Sequence, residues 1–202
     1  MSTFWTDKGF EQLGDEIYVY KQFLSPEEVE KYKILIDHAV ANNLWDNEMD
    51  HPFFKGRVTS NIQELEEVRN KMINLIGQDY KLGPNISASV LRTGDHWDVH
   101  FDAHDFIEKR KISATVKDDE EYTLIDDSKY GTVVYFNEFE GGNLFYPKQN
   151  ISYHPNPGDL MLHSSEEFCE HGVSEIIKGP RYGLSGHLSQ PMKFPKDYIY
   201  LG

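Results

Sequence analysis

Apolar positions recur with a helical period in the first third of the chain. A strand-like run at 17–23, IYVYKQF, precedes the segment LSPEEVEKYKILIDHAV. Within that segment the apolar positions are Val29, Tyr32, Leu35, Ile36 and Ala39. Residues three and four apart lie on one face of a helix, so the spacing predicts an amphipathic helix. Ser25 is placed to cap it, with Pro26 in the first turn and Glu28 as the capping-box partner.

A second amphipathic helix is predicted to begin near Asn61, with Glu64 as its capping-box partner. Its apolar stripe consists of Ile62, Leu65, Val68, Met72 and Ile76. Gly77 follows the last of these residues, where a helix commonly ends at a glycine.

The pattern changes after Gly83 and Pro84 to short runs rich in β-branched and aromatic residues. The runs are ISASVLR, HWDVHF, GTVVYFN, NLFYP, DLMLHS, HGVSEII and RYGLSGHL. Many short strands separated by turn residues predict a sandwich, a jelly roll or a barrel. A chain of 202 residues suits one domain. We therefore expect a single domain, with an N-terminal strand and helices at 1–83, a β core at 84–190 and a C-terminal tail at 191–202.

One segment interrupts the strand pattern. Residues 117–130, KDDEEYTLIDDSKY, are acidic and have no strand periodicity. Two interpretations are open: a solvated loop, or part of a mobile flap at 103–130 beside a functional site.

Charge and composition exclude some partners. The formal net charge is −14, which disfavours nucleic acids and anionic membranes as partners, because both are bound by clustered Lys and Arg. No window reaches the ~20 apolar residues of a membrane span. Cys169 is the single cysteine and MSTFWTDKGF does not resemble a signal peptide, so we expect a soluble, cytoplasmic protein. The sequence predicts no oligomeric state.

A cluster of histidines and aspartates opens the β region. In GDHWDVHFDAHD, residues 96, 98, 100, 102 and 104 alternate between His and Asp. Alternate residues of a strand share a face and lie ~6.6 Å apart, so only neighbours in this series can share one ion. Four adjacent pairs are possible, and periodicity does not choose among them. The alternative is that these side chains are merely exposed at a strand end.

A His-x-Asp pair supplies two thirds of a 2-His-1-carboxylate triad, which leaves coordination positions open on non-haem Fe(II). The third ligand would be a histidine from another strand. The downstream candidates are His154, His163, His171 and His187.

Several blocks of the sequence resemble one enzyme family. LRTGDHWDVHFDA has a glycine, Gly94, six residues before a His-x-Asp pair, and VVYFNEFEGGNLFYP contains a YLN-like triplet followed by a GGxxxFP-like stretch. PNPGDLMLH and HGVSEIIKGPRYGLSGHL follow, the latter with a histidine ten residues before an arginine. In this order and spacing, with the helix opening FLSPEE, they resemble the prolyl 4-hydroxylase branch of the Fe(II)/2-oxoglutarate-dependent oxygenases from about residue 87 to 189.

The resemblance implies a fold and a site. The fold is a mainly β domain with N-terminal helices and a double-stranded β-helix core, which is related to the jelly rolls and cupins. Fe(II) would be held by His100, Asp102 and His171. Arg181 would bind the far carboxylate of 2-oxoglutarate, as a guanidinium can do bidentately. Tyr135 would donate its hydroxyl to the same carboxylate or else pack in the core.

The sequence departs from the family pattern at positions near the expected site. Leu91 and Leu144 replace a tyrosine and a threonine that are frequent there, so the cosubstrate pocket is expected to be more apolar. Trp97 is expected beside the substrate channel. His163 stands where an aromatic residue is common and is expected to pack or to make a hydrogen bond near the metal. Cys169 is expected to be a small buried or half-buried thiol, although a Cys-x-His pair with His171 could also bind zinc.

The family resemblance implies hydroxylation of a C–H bond with O2 as oxidant, CO2 and succinate as co-products and ascorbate as a reductant. The predicted substrate is a prolyl residue in a peptide or protein. Hydroxylation of a free amino acid or another small molecule is an alternative. A non-catalytic jelly-roll binding module with an incidental metal, or a cupin-like metalloenzyme without 2-oxoglutarate, is an alternative of another class. Arg181 discriminates between these, because neither of the last two requires a buried clamp for a carboxylate.

Overall fold

The computed structural model describes residues 3–42, 44, 47–51, 54–59, 63–77, 79–82, 87–102 and 128–189. The helices within these residues are α1 (Phe4–Asp7), α2 (Pro26–Ala41) and α3 (Glu66–Ile76). The N-terminal strands are β1 (Glu11–Gly14), β2 (Ile17–Tyr20), β3 (Asn47–His51), β4 (Phe54–Thr59) and β5 (Lys81–Leu82). The later strands are β6 (Ser87–Leu91), β7 (Trp97–His100), β8 (Ser128–Tyr135), β9 (Glu140–Gly141), β10 (Leu144–Tyr146), β11 (Ile151–Tyr153), β12 (Leu160–Ser164), β13 (His171–Val173), β14 (Ile176–Lys178) and β15 (Arg181–Ser189).

The long helix α2 begins as its sequence predicts. The Glu28 backbone N–H donates to Ser25 Oγ over 3.3 Å, and the Ser25 backbone N–H donates to Glu28 Oε2 over 2.7 Å. These two bonds form the capping box and satisfy backbone groups that a helix start leaves without intrahelical partners. Tyr32, Ile36 and Ala39 are buried.

Helix α3 follows a 3-10 turn at Gln63–Leu65, and the predicted start at Asn61 lies outside the described residues. Val68, Met72 and Ile76 are buried, so the apolar stripe packs as expected. Gly77 ends the helix with φ +84°, a left-handed value that favours glycine.

Two groups of four antiparallel strands form the β body. One group has the spatial order β12-β8-β15-β6 and the other has the order β7-β13-β10-β11. The chain passes back and forth between them, with β6, β8, β12 and β15 in the first group and β7, β10, β11 and β13 in the second. This winding is a double-stranded β-helix, which confirms the predicted fold class.

The N-terminal region adds more strands than the sequence pattern predicts. β1 and β2 extend the first group beyond β12, and β4 joins β6 to β7. β3 pairs with β4 as a hairpin. A single sheet therefore runs through both groups of strands.

Side chains of the first group alternate between two apolar cores. The helix-facing core contains residues of α2 and α3 together with Val134, Leu162 and Leu184. The interior core contains residues of both strand groups, including Val133 and Met161 from the first group. Its members from the second group are Leu144, Tyr146 and Val173. The two groups therefore face each other across the interior core, which is where the site residues also lie.

Two details differ from the sequence prediction. The run HGVSEII is not one strand but two, β13 and β14, because Ser174 and Glu175 turn the chain and bond to the backbone of Asn143 and Gly142. Residues 128–130, assigned to the acidic loop, begin β8 instead. The rest of the predicted flap and the tail at 191–202 lie outside the described residues.

Among the helices that the structure describes, none is long and apolar enough to cross a membrane.

Candidate metal centre

Two histidines meet across a pair of antiparallel strands. His100 ends β7, and His171 begins β13 directly opposite it. Their ring centroids are 4.6 Å apart. Because of this register, two histidines that are far apart in the sequence have adjacent imidazole rings.

Asp102 completes a group of three potential ligands. It lies two residues beyond the end of β7, and its Oδ1 is 3.8 Å from His100 Nε2 and 3.9 Å from His171 Nε2. One ligand atom from each of the three residues lies within 4.8 Å of the others. The structure therefore brings together the three residues that the family resemblance selects for Fe(II).

The second nitrogen of each ring is bound to the backbone. His171 Nδ1 is 3.1 Å from the carbonyl oxygen of Cys169, and His100 Nδ1 is 2.9 Å from that of Asp98. A carbonyl only accepts, so Nδ1 carries the proton in both contacts and Nε2 keeps its lone pair. Metal-binding histidines use this arrangement, because the bond to Nδ1 selects the tautomer that can ligate.

Electrostatics favour an ionised carboxylate and neutral imidazole. Burial alone would raise the pKa of Asp102. The contact with His163, together with the nearby His171 and His187, instead lowers this pKa below its usual range. Burial lowers the pKa of His171 well below its ordinary value, and His163 contributes in the same direction. A deprotonated carboxylate and a neutral imidazole are the forms that bind a metal.

The competing His-x-Asp pair lies outside this group. The side chains of His96 and Asp98 are 50% and 54% exposed, and they contact each other at 3.4 Å. His104 is outside the described residues. Of the four adjacent pairs that periodicity leaves open, His100 and Asp102 are the pair that joins a distant histidine within the described residues.

Arg181 is a cation buried in the interior of the fold. Its side chain is almost fully enclosed, with 1% of the residue exposed. Nη2 donates to the Tyr135 hydroxyl over 3.1 Å, and the guanidinium carbon lies 4.8 Å from the centre of the Tyr135 ring. Within the described part of the chain, Nε has no hydrogen-bond partner and no carboxylate pairs with the guanidinium.

A buried charge without a counter-ion is costly, so this end of the interior fits an anionic ligand. The carboxylate of 2-oxoglutarate has the matching charge and geometry. Tyr135 is fully buried, and burial raises its pKa although Arg181 acts in the opposite direction. Its hydroxyl therefore stays protonated at neutral pH and can donate to the same anion.

The apolar substitutions also lie in the interior. Leu91 and Leu144 are both buried in the interior core together with Tyr135, and Leu91 is paired with Arg181 across β6 and β15. Trp97 is partly buried against the same core, with its ring centroid 6.3 Å from that of His100. Both leucines add to the apolar interior, while their place in a cosubstrate pocket and the channel role of Trp97 stay predictions.

Cys169 is a buried thiol, as predicted. Its Sγ lies 3.3 Å from the carbonyl oxygen of Asp15, and burial raises its pKa to about 12. Among the described residues, Cys169 is not part of the group of potential metal ligands that contains His171. Its contribution to the centre is the backbone carbonyl that orients His171.

His163 and Tyr146 are closer to the centre than the sequence indicates. The ring of His163 lies 4.0 Å from that of His171, and its Nε2 is 3.4 Å from Asp102 Oδ2. Its Nδ1 lies 2.9 Å from the hydroxyl of Tyr146, so His163 makes the expected hydrogen bond beside the three potential ligands. The partner, Tyr146, is not apparent from the sequence; the available signal is a hydroxyl at the phenylalanine position of the GGxxxFP block.

Comparisons with known proteins bear on the fold. No family model matches the chain, and no curated protein matches it by sequence. A viral collagen prolyl hydroxylase from Paramecium Bursaria Chlorella virus-1, solved with 2OG, is 14% identical; the alignment covers 88% of this chain and 97% of that one, with a TM-score of 0.58. A Pseudomonas putida prolyl-4-hydroxylase is also 14% identical, with 88% and 94% covered and a TM-score of 0.57.

A third similar structure is a prolyl hydroxylase from Trichoplax adhaerens in complex with a peptide fragment of the hypoxia inducible factor oxygen degradation domain. It is 12% identical, with 87% of this chain and 84% of that one covered and a TM-score of 0.66. At such low identity the likeness shows the fold. The chain thus has the double-stranded β-helix fold of prolyl hydroxylases and other 2OG-Fe(II) oxygenases, which confirms at the level of the fold the family resemblance found in the sequence.

Proposed function

We propose that the protein is an Fe(II)- and 2-oxoglutarate-dependent dioxygenase that hydroxylates a C–H bond. One observation carries the proposal: a 2-His-1-carboxylate group lies on the same interior of the β-helix as a buried arginine, which pairs with no carboxylate among the described residues. A binding module with an incidental metal requires no such arginine. The same feature disfavours a cupin-like metalloenzyme without 2-oxoglutarate.

The strand register connects the two ends of this interior. Arg181, Gly183, Ser185 and His187 alternate along one face of β15, and His187 Nδ1 is 3.9 Å from Asp102 Oδ2. Across the strand pair, Gly183 is opposite Tyr135 and His187 is opposite Gly131. One face of the β15–β8 pair therefore runs from the arginine to the metal ligands.

His100 Nε2, His171 Nε2 and one oxygen of Asp102 would hold Fe(II). Three protein ligands leave positions open for the cosubstrate and O2. Fe(II) would supply the O2 activation that side chains cannot, with 2-oxoglutarate converted to succinate and CO2 as the substrate gains one oxygen. Ascorbate as a reductant belongs to the same proposal.

Arg181 and Tyr135 would bind and orient 2-oxoglutarate. The guanidinium supplies charge and two parallel donors, and the hydroxyl of Tyr135 supplies a third donor. Leu91 and Leu144 would exclude water from the cosubstrate, which strengthens these polar contacts. Orientation is the protein's main contribution here, because a misplaced cosubstrate would leave the substrate C–H bond out of reach.

The proposed substrate is a prolyl residue within a peptide. Similar folds belong to prolyl hydroxylases, and one of them was solved with a bound peptide fragment. Trp97 is partly exposed beside His100 and could form one wall of a groove. A proline-rich peptide is already close to the extended polyproline II shape, so an aromatic wall binds it at a small entropic cost. The acidic chain would favour neutral or basic peptides.

The test combines spectroscopy with product analysis. Fe(II) and 2-oxoglutarate are added without O2, and the metal-to-ligand charge-transfer absorption is measured. O2 is then admitted with proline-containing peptides, and with free proline and other amino acids in parallel samples. Mass spectrometry should show a gain of one oxygen on a peptide together with succinate.

The outcomes separate the proposals. A gain of oxygen on free amino acids alone would replace the peptide substrate and keep the oxygenase. Absence of the charge-transfer band in a protein that binds Fe(II) would exclude 2-oxoglutarate as the cosubstrate.

A further inference from the structure

A buried histidine that packs against His171 contacts the oxygen of Asp102 that is not paired with His100 and His171. His163 is 2% exposed and sits on the interior face of β12, opposite Gly131 of β8. Its Nε2 is 3.4 Å from Asp102 Oδ2, and its Nδ1 is 2.9 Å from the Tyr146 hydroxyl. The ring thus connects a tyrosine to the carboxylate.

The chemistry of the partners determines the direction of these contacts. An ionised carboxylate only accepts, so Nε2 of His163 carries the proton that points to Asp102. Nδ1 then has a lone pair, and the hydroxyl of Tyr146 donates to it. Tyr146 is fully buried, and burial raises its pKa well above the ordinary value, so the hydroxyl remains a donor.

The two oxygens of Asp102 therefore have different surroundings. Oδ1 faces Nε2 of His100 and of His171, at 3.8 and 3.9 Å. Oδ2 faces Nε2 of His163 at 3.4 Å and Nδ1 of His187 at 3.9 Å. Only the Oδ1 side is shared with the other two ligands.

Gly131 makes the contact between His163 and Asp102 possible. A Cβ atom at this position would overlap with Asp102 Oδ2 and lie 2.7 Å from His163 Nε2. Such distances are not accommodated without movement of one of the two side chains. The glycine therefore leaves the space through which the carboxylate reaches the histidine.

We infer that His163, oriented by Tyr146, is a positioning residue that holds Oδ2 of Asp102 and so presents Oδ1 to the metal. The inference rests on the proposed Fe(II) site and adds residues to it. Groups that hydrogen-bond to metal ligands fix the ligands' orientation, and their loss typically lowers metal affinity about 10- to 100-fold. The role differs from that of a ligand, because Nε2 of His163 is occupied by its proton.

The test uses Co(II) as the probe on the full chain freed of metal. Affinity is measured by calorimetry, and the visible ligand-field spectrum reports the number and kind of ligands. The variants are His163→Phe, which removes both hydrogen bonds, and His163→Gln, which keeps a donor near the position of Nε2. Tyr146→Phe removes only the orienting bond. His96→Phe is the matched control, because the same substitution falls on an exposed histidine outside the centre.

His163→Phe is expected to lower Co(II) affinity about 10- to 100-fold, and His163→Gln to stay within about threefold of the wild type. Tyr146→Phe is expected to cost about fivefold, as one neutral hydrogen bond does. The thermal midpoint of the metal-free protein should fall in His163→Phe, because the Tyr146 hydroxyl and Asp102 Oδ2 are then buried without this partner. If His163→Phe does not fold, the Gln and Tyr146→Phe variants still give the test.

Three results would overturn the inference. Unchanged Co(II) affinity and spectrum in His163→Phe would show that His163 does not position Asp102, while leaving the proposed metal centre intact. A changed spectrum that His163→Gln fails to restore would make His163 itself a ligand. Failure of the wild-type protein to bind Co(II) or Fe(II) would remove the metal centre and the proposed function as well.

Discussion

The two faces of the β12-β8-β15 strands differ in character. Toward the helices, Val134, Leu162 and Leu184 pack in an apolar core with α2 and α3. Toward the interior, the same strands bury the polar side chains of Arg181 and His163 beside apolar residues such as Val133 and Met161. Both faces therefore bury apolar surface, and the interior face also holds buried polar groups that are costly unless a ligand completes them. Substitutions on the interior face should change the affinity for metal and cosubstrate, and substitutions on the helix-facing side should change the free energy of unfolding.

The largest effect is expected from the three proposed metal ligands of the interior. His100→Ala, Asp102→Ala and His171→Ala should each lower Fe(II) affinity more than about 100-fold, beyond the loss typical of residues that only orient ligands, and abolish turnover. His96→Ala and Asp98→Ala, at the exposed neighbouring pair, should keep most of both. The measurement is Fe(II) titration without O2, followed by succinate release. An inactive His96→Ala protein beside a fully active His100→Ala protein would show that the wrong pair was chosen.

Arg181→Ala should separate cosubstrate binding from metal binding. Breaking a buried charge-assisted pair costs ~2–5 kcal/mol, or roughly 30- to 5,000-fold in 2-oxoglutarate affinity. Fe(II) affinity should be unchanged, because Arg181 is not among the three grouped ligand residues. Titration of the charge-transfer band gives the affinity. An unchanged 2-oxoglutarate affinity would refute the assignment of Arg181.

Leu162→Ala is the matched change on the helix-facing side of β12, next to His163. Loss of a fully buried leucine should lower the free energy of unfolding by about 2–5 kcal/mol. The folded fraction should bind Fe(II) and 2-oxoglutarate with wild-type affinity. Urea denaturation and ligand titration together test this. Weakened ligand binding in the folded protein would show that the two faces are not independent.

Tyr135→Phe should have a smaller effect than Arg181→Ala. One hydrogen bond to a charged group is lost while the ring is kept, so 2-oxoglutarate affinity should fall about tenfold or less. The same charge-transfer titration measures it. A loss as large as that of Arg181→Ala would mean that the hydroxyl, and not the guanidinium, is the main anchor.

The smallest effect is expected for Asp37, on the helix-facing side, and concerns how the free energy of unfolding depends on pH. Asp37 of α2 accepts hydrogen bonds from Tyr182 at 2.7 Å and from Lys33 at 2.6 Å. Burial would raise the pKa of Asp37, but these donors lower it below its ordinary value. The ionised Asp37 therefore stabilises the folded protein at pH values above the pKa that Asp37 has in the unfolded chain. This stabilisation is lost as the pH falls through the pKa of Asp37 in the folded protein. Because its side chain is 45% exposed, Asp37→Asn should reduce the acid-induced loss of unfolding free energy by less than about 1 kcal/mol. Urea denaturation at pH 7 and pH 3 measures this, and an acid sensitivity equal to that of the wild type would contradict it.

Local patterns in the sequence were sufficient for α2, α3 and most β-core strands, whereas α1 was not predicted. The capping box at Ser25, the stripe ending at Ile76 and the runs around β8 and β15 all carry their signal within a few residues. The β3–β4 hairpin has no such signal in the sequence pattern, and its place beside β6 depends on pairing between distant segments. Tertiary context decides such strands more than propensity does.

The site was predictable as far as motif spacing extends. The glycine spacing selected His100 and Asp102 over the equally alternating pair at 96 and 98, which periodicity alone could not do. The contact between His163 and Asp102 was not predictable, because it depends on two strands meeting at a glycine. Spacing along the chain contains no information on which oxygen of a carboxylate a neighbour will approach.

The backbone carbonyls of Asp98 and Cys169 accept hydrogen bonds from the rings of His100 and His171, and these bonds affect how a metal ion would bind. Both rings are already oriented by their own strands, so the entropy of ordering these ligands is lost during folding and not during metal capture. Metal uptake should therefore be a simple second-order process without a slow folding phase. The metal-free chain should fold on its own, and one metal ion should replace another without a change in the conformation of the site. Zinc fingers differ, because they fold only when the metal is added.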